Sequence, residues 1–427
     1  MRYTKIPNKL FVKNRKKLTD MLENGSIAII NSNYQMPRNG DQFFPYRQHS
    51  DLFYLTGINQ EKTILLIEKS EAGDIKESLF IIKPSKELEI WEGHKYTPEE
   101  ASDISGIQDI QWKNNFKSVL HEKIMKNQII YLNLTENPKF KPEVKAKDFS
   151  VYAQLVKDYP LHNYKRLAPI FQQIRMLKEP EELELIKKAC SITKEAFLFI
   201  LKFVKPGIKE YEIEAEISRI FLKNGAMGHA YDPIVATGIN ACILHYTQNN
   251  SICESGDLIL MDFGAEYANY AADLSRTIPV NGSFSKRQLE LYESLLRIFK
   301  YARDLMKPGA TINKLHDEVC KYSEEEHLKL GLYSKKDIQE QNPKQPLWKQ
   351  YYMHGTSHFL GLNVHDVGTK DTILKPGMIL TCEPGIYIEQ ESTGIRLEND
   401  ILITENGNED LMNDIPIAPQ DILDAMN

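Results

Sequence analysis

"GDLILMDFG" (256–264) and "GMILTCEPG" (377–385) share a grammar: a glycine, an apolar run, and a carboxylate six residues after the first glycine, Asp262 or Glu383. Each run is short, nearly free of polar residues and bounded by glycine, the pattern of a buried strand between turns. A histidine lies upstream of each (His245, and His365 with its neighbours), and a second carboxylate follows each, Asp273 in "YAADLSRT" and Glu398 in "GIRLEND". Further upstream, "KPGIKEYEIEAEISRIFLKNG" (205–225) and "KPGATINKLHDEVCKYSEEEHLKLG" (307–331) both read Lys-Pro-Gly, an amphipathic helix and a terminating glycine. The second half of the chain therefore reads as an internal duplication. A duplicated scaffold alone would repeat its apolar residues; this one also repeats its acids, which points to chemistry.

Directly opposed residues of an antiparallel hairpin project from one face. The expected arrangement sets Asp262 opposite Asp273 and Glu383 opposite Glu398, with His358 from "HGTSHFLGLNVHDVG" (354–368) completing the group. Two like charges 4 Å apart repel by about 4 kcal/mol at an effective dielectric near 20. Four clustered carboxylates would protonate unless cations neutralise them. Two divalent ions fit that charge, and an oxygen-rich set with one imidazole favours Mn2+, with Zn2+ or Co2+ as alternatives. Two ions bridging a water can lower its pKa and aim it at a carbonyl, which is metal-assisted hydrolysis. Taken singly, Asp262 reads as a strand-end cap, Glu398 as the ion-pair partner of Arg396, and His358 as a core histidine; together, in register with the duplication, they read as metal ligands.

The rest of the chain sets the frame. At 427 residues two domains are expected. Runs at 26–32, 63–69, 78–83 and 128–134 read as partly buried strands of a mixed α/β domain. "RMLKEPEELELIKKACSITKEAF" begins something new, with Pro180, Glu181 and Glu182 in a first helical turn and Leu183, Ile186, Cys190 and Phe197 as a helical stripe. The expected domains are 1–174 and 175–427. A net charge of −6 offers no basic face for nucleic acid, and no apolar run approaches the ~20 residues of a membrane span, so neither partner is expected. The basic start leads into "LTDMLENG" rather than an apolar signal region and reads as the solvated face of a first helix. Five cysteines without a CxxC suggest free thiols in a reducing, cytoplasmic setting.

The segments "HYTQN", "DFGAEYANYAADLSRT", "HGTSHFLGLNVHDVG", "TCEPGIYI" and "GIRLENDI", in this order, resemble the pita-bread metallopeptidases and, within them, the Xaa-Pro aminopeptidases, also called aminopeptidase P. "PYRQHSDLFYLTG" (45–57) is similar to the signature of that group's first domain. The resemblance implies an α/β (α+β) chain: a creatinase-like mixed α/β domain, then a pita-bread catalytic domain with internal duplication. It implies that Asp262, Asp273, His358, Glu383 and Glu398 hold two manganese ions, and that a hydroxide between them hydrolyses the bond before a proline in the second position. His365 would contact the substrate carbonyl, His245 assist the oxyanion, Glu383 shuttle a proton and Arg396 orient a ligand carboxylate. His354, Tyr387 and, from the first domain of a neighbouring subunit, Asp51 would border the substrate. Glycines 355, 361 and 368 would let the histidine segments pack closely. A dimer or tetramer is implied. The alternatives are a prolidase confined to Xaa-Pro dipeptides, hydrolysis of a non-peptide bond as a side activity, and an inactive peptide-binding scaffold.

Overall fold

The computed structural model describes residues 2–134, 136 and 143–427. The chain divides into two compact units, with Arg175 in the first and Met176 in the second.

The first unit is built on a six-stranded mixed sheet in the order Asp109–Trp112, Ile75–Ile81, Ile64–Lys69, Ser26–Asn31, Ile129–Leu132, Asn163–Arg166. Each of the four interior strands overlaps one of the four apolar runs read from the sequence, Ile75–Ile81 beginning three residues earlier, where Ile75 and Lys76 are exposed. Ser26–Asn31 is buried at every position, so both of its faces are covered and it reads as continuous rather than alternating apolar sequence. Ile27, Ile29, Ile64, Leu66, Phe80, Ile130 and Leu132 form one core with Leu120, Ile124 and Leu155 from helices Phe116–Ile124 and Lys147–Asp158. The first helix, Asn8–Met21, buries Leu10, Phe11 and Leu18 and turns most of its lysines to solvent, as its basic composition suggested. Its Arg15 is the exception: buried, it donates to Glu77 at 2.8 Å and to the carbonyls of Leu55 and Ser105.

The second unit repeats itself. Helices Pro180–Phe203 and Glu210–Lys223 flank the first Lys-Pro-Gly turn, and Lys286–Leu305 and Ile312–Lys329 flank the second. Pro180 starts its helix, where the missing N–H costs nothing, and the Glu179 N–H is taken by the Glu182 carboxylate at 2.9 Å. Corresponding glycines share a left-handed backbone: φ is 92° at Gly207 and 87° at Gly309, 80° at Gly225 and 72° at Gly331, 97° at Gly256 and 89° at Gly377. Only glycine takes such φ values without strain, so the duplication is written in backbone conformation as well as in sequence.

Each half contributes an antiparallel hairpin. Leu258–Phe263 pairs with Leu274–Pro279, and Ile379–Cys382 pairs with Asn399–Thr404. The first hairpin closes on Ala268 and Asn269, both left-handed at φ 51° and 64° between paired Tyr267 and Tyr270, the two-residue turn that suits strand twist. The segment 334–350 carries helix Lys335–Glu340 and a short turn of helix Leu347–Gln350, largely exposed as expected of a surface connection.

Candidate metal centre

Asp262 is the penultimate residue of the strand Leu258–Phe263 and pairs with Ser275, not with Asp273. The expectation of directly opposed aspartates is corrected here. Because the hairpin turns on residues 268 and 269, continuing its ladder sets Asp273 opposite Gly264, one diagonal step from Asp262 on the same face. Gly264 permits this crossing, since a Cβ there would lie 1.7 Å from the Ala272 carbonyl oxygen. In the second hairpin Cys382 pairs with Asn399 and Gly385 with Arg396, so Glu383 and Glu398 stand between matching rungs, as expected.

Asp273, His358 and Glu398 bring one ligand atom each within 4.8 Å of one another. His358 Nε2 is 3.4 Å from Asp273 Oδ2 and 3.8 Å from Glu383 Oε1. Its Nδ1 donates to the Phe359 carbonyl at 3.0 Å, so Nε2 is the nitrogen turned to the acids. Thr381 fastens this segment: its hydroxyl accepts from the His358 N–H, and its own N–H donates to the His358 carbonyl. Tyr231 O–H reaches both Asp262, at 2.6 Å, and Asp273. Ser275 donates to Glu398 Oε2 at 2.7 Å, joining the two halves of the unit at the site.

The acids are strained electrostatically. Burial, then the charge of Asp273, pushes Glu383 up to about 7, although His358 opposes the shift. Burial raises Asp273 and holds Glu398 well above the ordinary carboxylate range, each also repelled by neighbouring acids. Burial would depress His358, but its bond to Asp273 and the Glu383 charge outweigh it and raise the imidazole to about 9. Protons thus stand where positive charge is wanted. A largely buried set of four carboxylates and one imidazole, which would give up its Nε2 proton to a metal, fits divalent cations.

Around the ligands, Arg396 donates to Asp262 Oδ2 at 2.6 Å, to Tyr387 at 2.9 Å and to Ser275 at 2.9 Å. Its carboxylate partner is therefore Asp262, one of the expected ligands, and not Glu398 as the single-residue reading suggested. His354 has both ring nitrogens engaged, Nε2 with Tyr387 O–H and Nδ1 with the Gly355 carbonyl, each at 2.8 Å. Burial, then Arg396, lowers it to about 3, so it is neutral. The His365 ring stands edge-on to His358 with centroids 4.3 Å apart and is exposed. His245 is also exposed, just beyond the short helix Gly238–Cys242 and within electrostatic reach of His354.

Of the glycines expected to admit close packing, Gly361 and Gly368 do so: a methyl added at each would lie 2.2 Å from Asp366 and 2.3 Å from Phe359, respectively. Gly355 has open space, its nearest neighbour being Lys370 at 3.7 Å. Asp51 lies in the first unit, buried, with Arg175 at 2.6 Å and Asn133 at 2.9 Å on its carboxylate. Sequence reasoning did not single out Tyr231, Ser275, Thr381 or Asp400, whose carboxylate accepts the Asp273 N–H at 3.1 Å. Asp400 lies in the strand Asn399–Thr404, two residues after Glu398, and that period-two pairing of acids was the available signal; Tyr231 and the hydroxyls gave none.

Comparison with known proteins covers both units. The model of Metallopeptidase family M24 matches residues 184–405, and that of the aminopeptidase P N-terminal domain matches 11–131. The chain is 35% identical to a Xaa-Pro aminopeptidase of Haemophilus influenzae, over 99% of this chain and 98% of that protein. It is 33% identical to the Xaa-Pro aminopeptidase of Escherichia coli, over 98% of each. Among solved structures, Escherichia coli aminopeptidase P with the inhibitor Pro-Leu superposes with a TM-score of 0.90 at 32% identity, covering 99% of both chains.

Proposed function

The chain belongs to metallopeptidase family M24 and carries the N-terminal domain of aminopeptidase P, and on that premise we propose that it is a metal-dependent exopeptidase that cleaves an N-terminal residue from a following proline. The observation that carries the reading is the cluster of Asp273, His358 and Glu398, with Glu383 and Asp262 beside it, in a chain that matches Xaa-Pro aminopeptidases over 98% or more of its length.

These five residues would hold two divalent cations, and the preponderance of oxygen donors supports Mn2+ over Zn2+ or Co2+. Bound there, the ions supply the charge that offsets the carboxylates, polarise a carbonyl and acidify water. The remaining tasks fall to side chains of this chain. The Xaa-Pro bond is a tertiary amide, and its proline nitrogen must gain a proton to leave as an amine. Glu383, whose Oε1 stands 3.8 Å from His358 Nε2 at the centre of the donor set, can hold that proton in transit. His365, exposed beside His358, is placed to donate to the substrate carbonyl. His245, exposed near His354, assists the developing oxyanion. His354 holds Tyr387, which Arg396 also grips, and this trio forms a stiff wall for the substrate. Asp51 we assign to the framework of the first unit, because its carboxylate is engaged by Arg175 and Asn133.

We place the protein in the cytoplasm, a reading supported by five free thiols. Among the described residues no helix is long and apolar enough to cross a membrane. We also propose a homo-oligomer, a dimer or tetramer, assembled through the first unit, where Ile90 is 79% and Trp91 83% exposed. Light scattering on the purified chain tests this, and a monomer would refute it.

Steady-state hydrolysis by the Mn2+-loaded protein of an Xaa-Pro-Yaa tripeptide against the matching Xaa-Pro dipeptide tests the activity. Release of the first residue from the tripeptide is expected. Cleavage of the dipeptide alone would make the protein a prolidase.

A further inference from the structure

The segment that carries His365 is tied down by charges that take no part in the site described above. Lys178 Nζ lies 3.2 Å from Asp366 Oδ2, and the two side chains are 2% and 1% exposed. The partners are 188 residues apart, and Lys178 lies ahead of the region matched by the catalytic-family model. Each is also fixed through its backbone: Asp366 N–H donates to the Phe359 carbonyl and Lys178 N–H to the Gly377 carbonyl, both at 2.9 Å. Gly361 lies directly beneath the pair, where a Cβ would stand 2.2 Å from Asp366 Oδ2 and 3.0 Å from Lys178 Nζ. The Gly361 carbonyl accepts the Ala271 N–H at 2.9 Å, two residues before the ligand Asp273. Asp366 is thus held at its N–H, its carboxylate and its flank. His365, the preceding residue, is exposed, with its ring on His358.

A fully buried ion pair is a poor way to gain stability, since apolar residues of similar volume serve as well. What it adds is direction, because a charge pair in a dry interior tolerates little displacement of either partner. We infer that the Lys178–Asp366 pair is the device that positions His365: it fixes the turn 361–366 so that the histidine projects over the metal ligands. Lys178 is therefore a positioning residue for the reaction, and this inference rests on the substrate role given to His365 above.

The test compares Lys178→Met, His365→Ala and the double variant, by kcat and KM on an Xaa-Pro-Yaa peptide and by metal content. Lys178→Met should lower kcat about 10- to 100-fold, the usual cost of losing an orienting partner. Metal content should not change, and the double variant should be no slower than His365→Ala. Losses that multiply in the double variant, or wild-type turnover in Lys178→Met, would overturn the inference. Should Lys178→Met fail to fold, Gly361→Ala presses on the pair without removing a charge and should give the same kcat loss and the same non-additivity with His365→Ala. If His365→Ala itself turns over normally, the substrate role of His365 falls. The imidazole NMR resonances of His365 then decide its positioning: displaced in Lys178→Met or Gly361→Ala they uphold it, and unmoved they refute it.

Discussion

His327 sits in the helix Ile312–Lys329 with no exposed surface and with neither ring nitrogen hydrogen-bonded. It packs edge-on against Tyr333 and Tyr351, and the Tyr351 carbonyl accepts the N–H of Tyr387 at 2.9 Å, so it backs the wall of the site. Burial lowers its pKa from 6.5 to about 4, only partly opposed by Glu326. A histidine depressed in the folded state leaves stability whole above about 6.5 and withdraws it as pH falls toward 4. Linkage between those two values gives a loss of about 2 kcal/mol at pH 5 and about 0.2 kcal/mol at pH 7. His327→Phe removes the titration without breaking a hydrogen bond, and replacing unsatisfied polar atoms by carbon is neutral or favourable. The variant should match the wild type in urea at pH 7.5 and exceed it by about 2 kcal/mol at pH 5. The other acid-sensitive groups are common to both proteins and cancel in the difference. An equal loss in both proteins between pH 7.5 and pH 5 would refute the reasoning.

Further expectations concern the site. Asp273→Asn should bind markedly less metal by elemental analysis, and full two-ion occupancy would contradict its ligand role. His365→Ala should keep its metal yet lose most of kcat; undiminished turnover would remove it from the mechanism. Because His358 is raised to about 9 and Glu383 to about 7, with Asp273 and Glu398 also raised, metal binding near pH 7 should release protons and tighten as pH rises. Calorimetry in buffers of different ionisation enthalpy measures this, and the absence of proton release would show the acids already ionised without metal.

The interior strands of the first unit were legible because burial on both faces demands unbroken apolar runs. Its edge strands, Asp109–Trp112 and Asn163–Arg166, escaped notice because a partly exposed strand keeps polar residues. The acids of the cluster showed through the duplication, which repeats them at fixed distance from glycines. Their register did not: it depends on a turn at Ala268–Asn269, where an alanine takes a left-handed φ it rarely adopts and no glycine announces the turn. Tyr231 was invisible for another reason. It approaches the aspartates from a separate segment, and a lone tyrosine before a strand reads as packing.

The cluster draws on both repeats, with Asp262 and Asp273 from one and His358, Glu383 and Glu398 from the other. Ions held there would act as a long-range covalent tie would, cinching chain segments more than a hundred residues apart in sequence. In a chain-entropy picture, closing a loop of about 100 residues restricts the unfolded state by about 5 kcal/mol. The loaded enzyme should accordingly resist proteolysis longer than the stripped one, and a chelator would unfasten the two repeats as well as silence the chemistry.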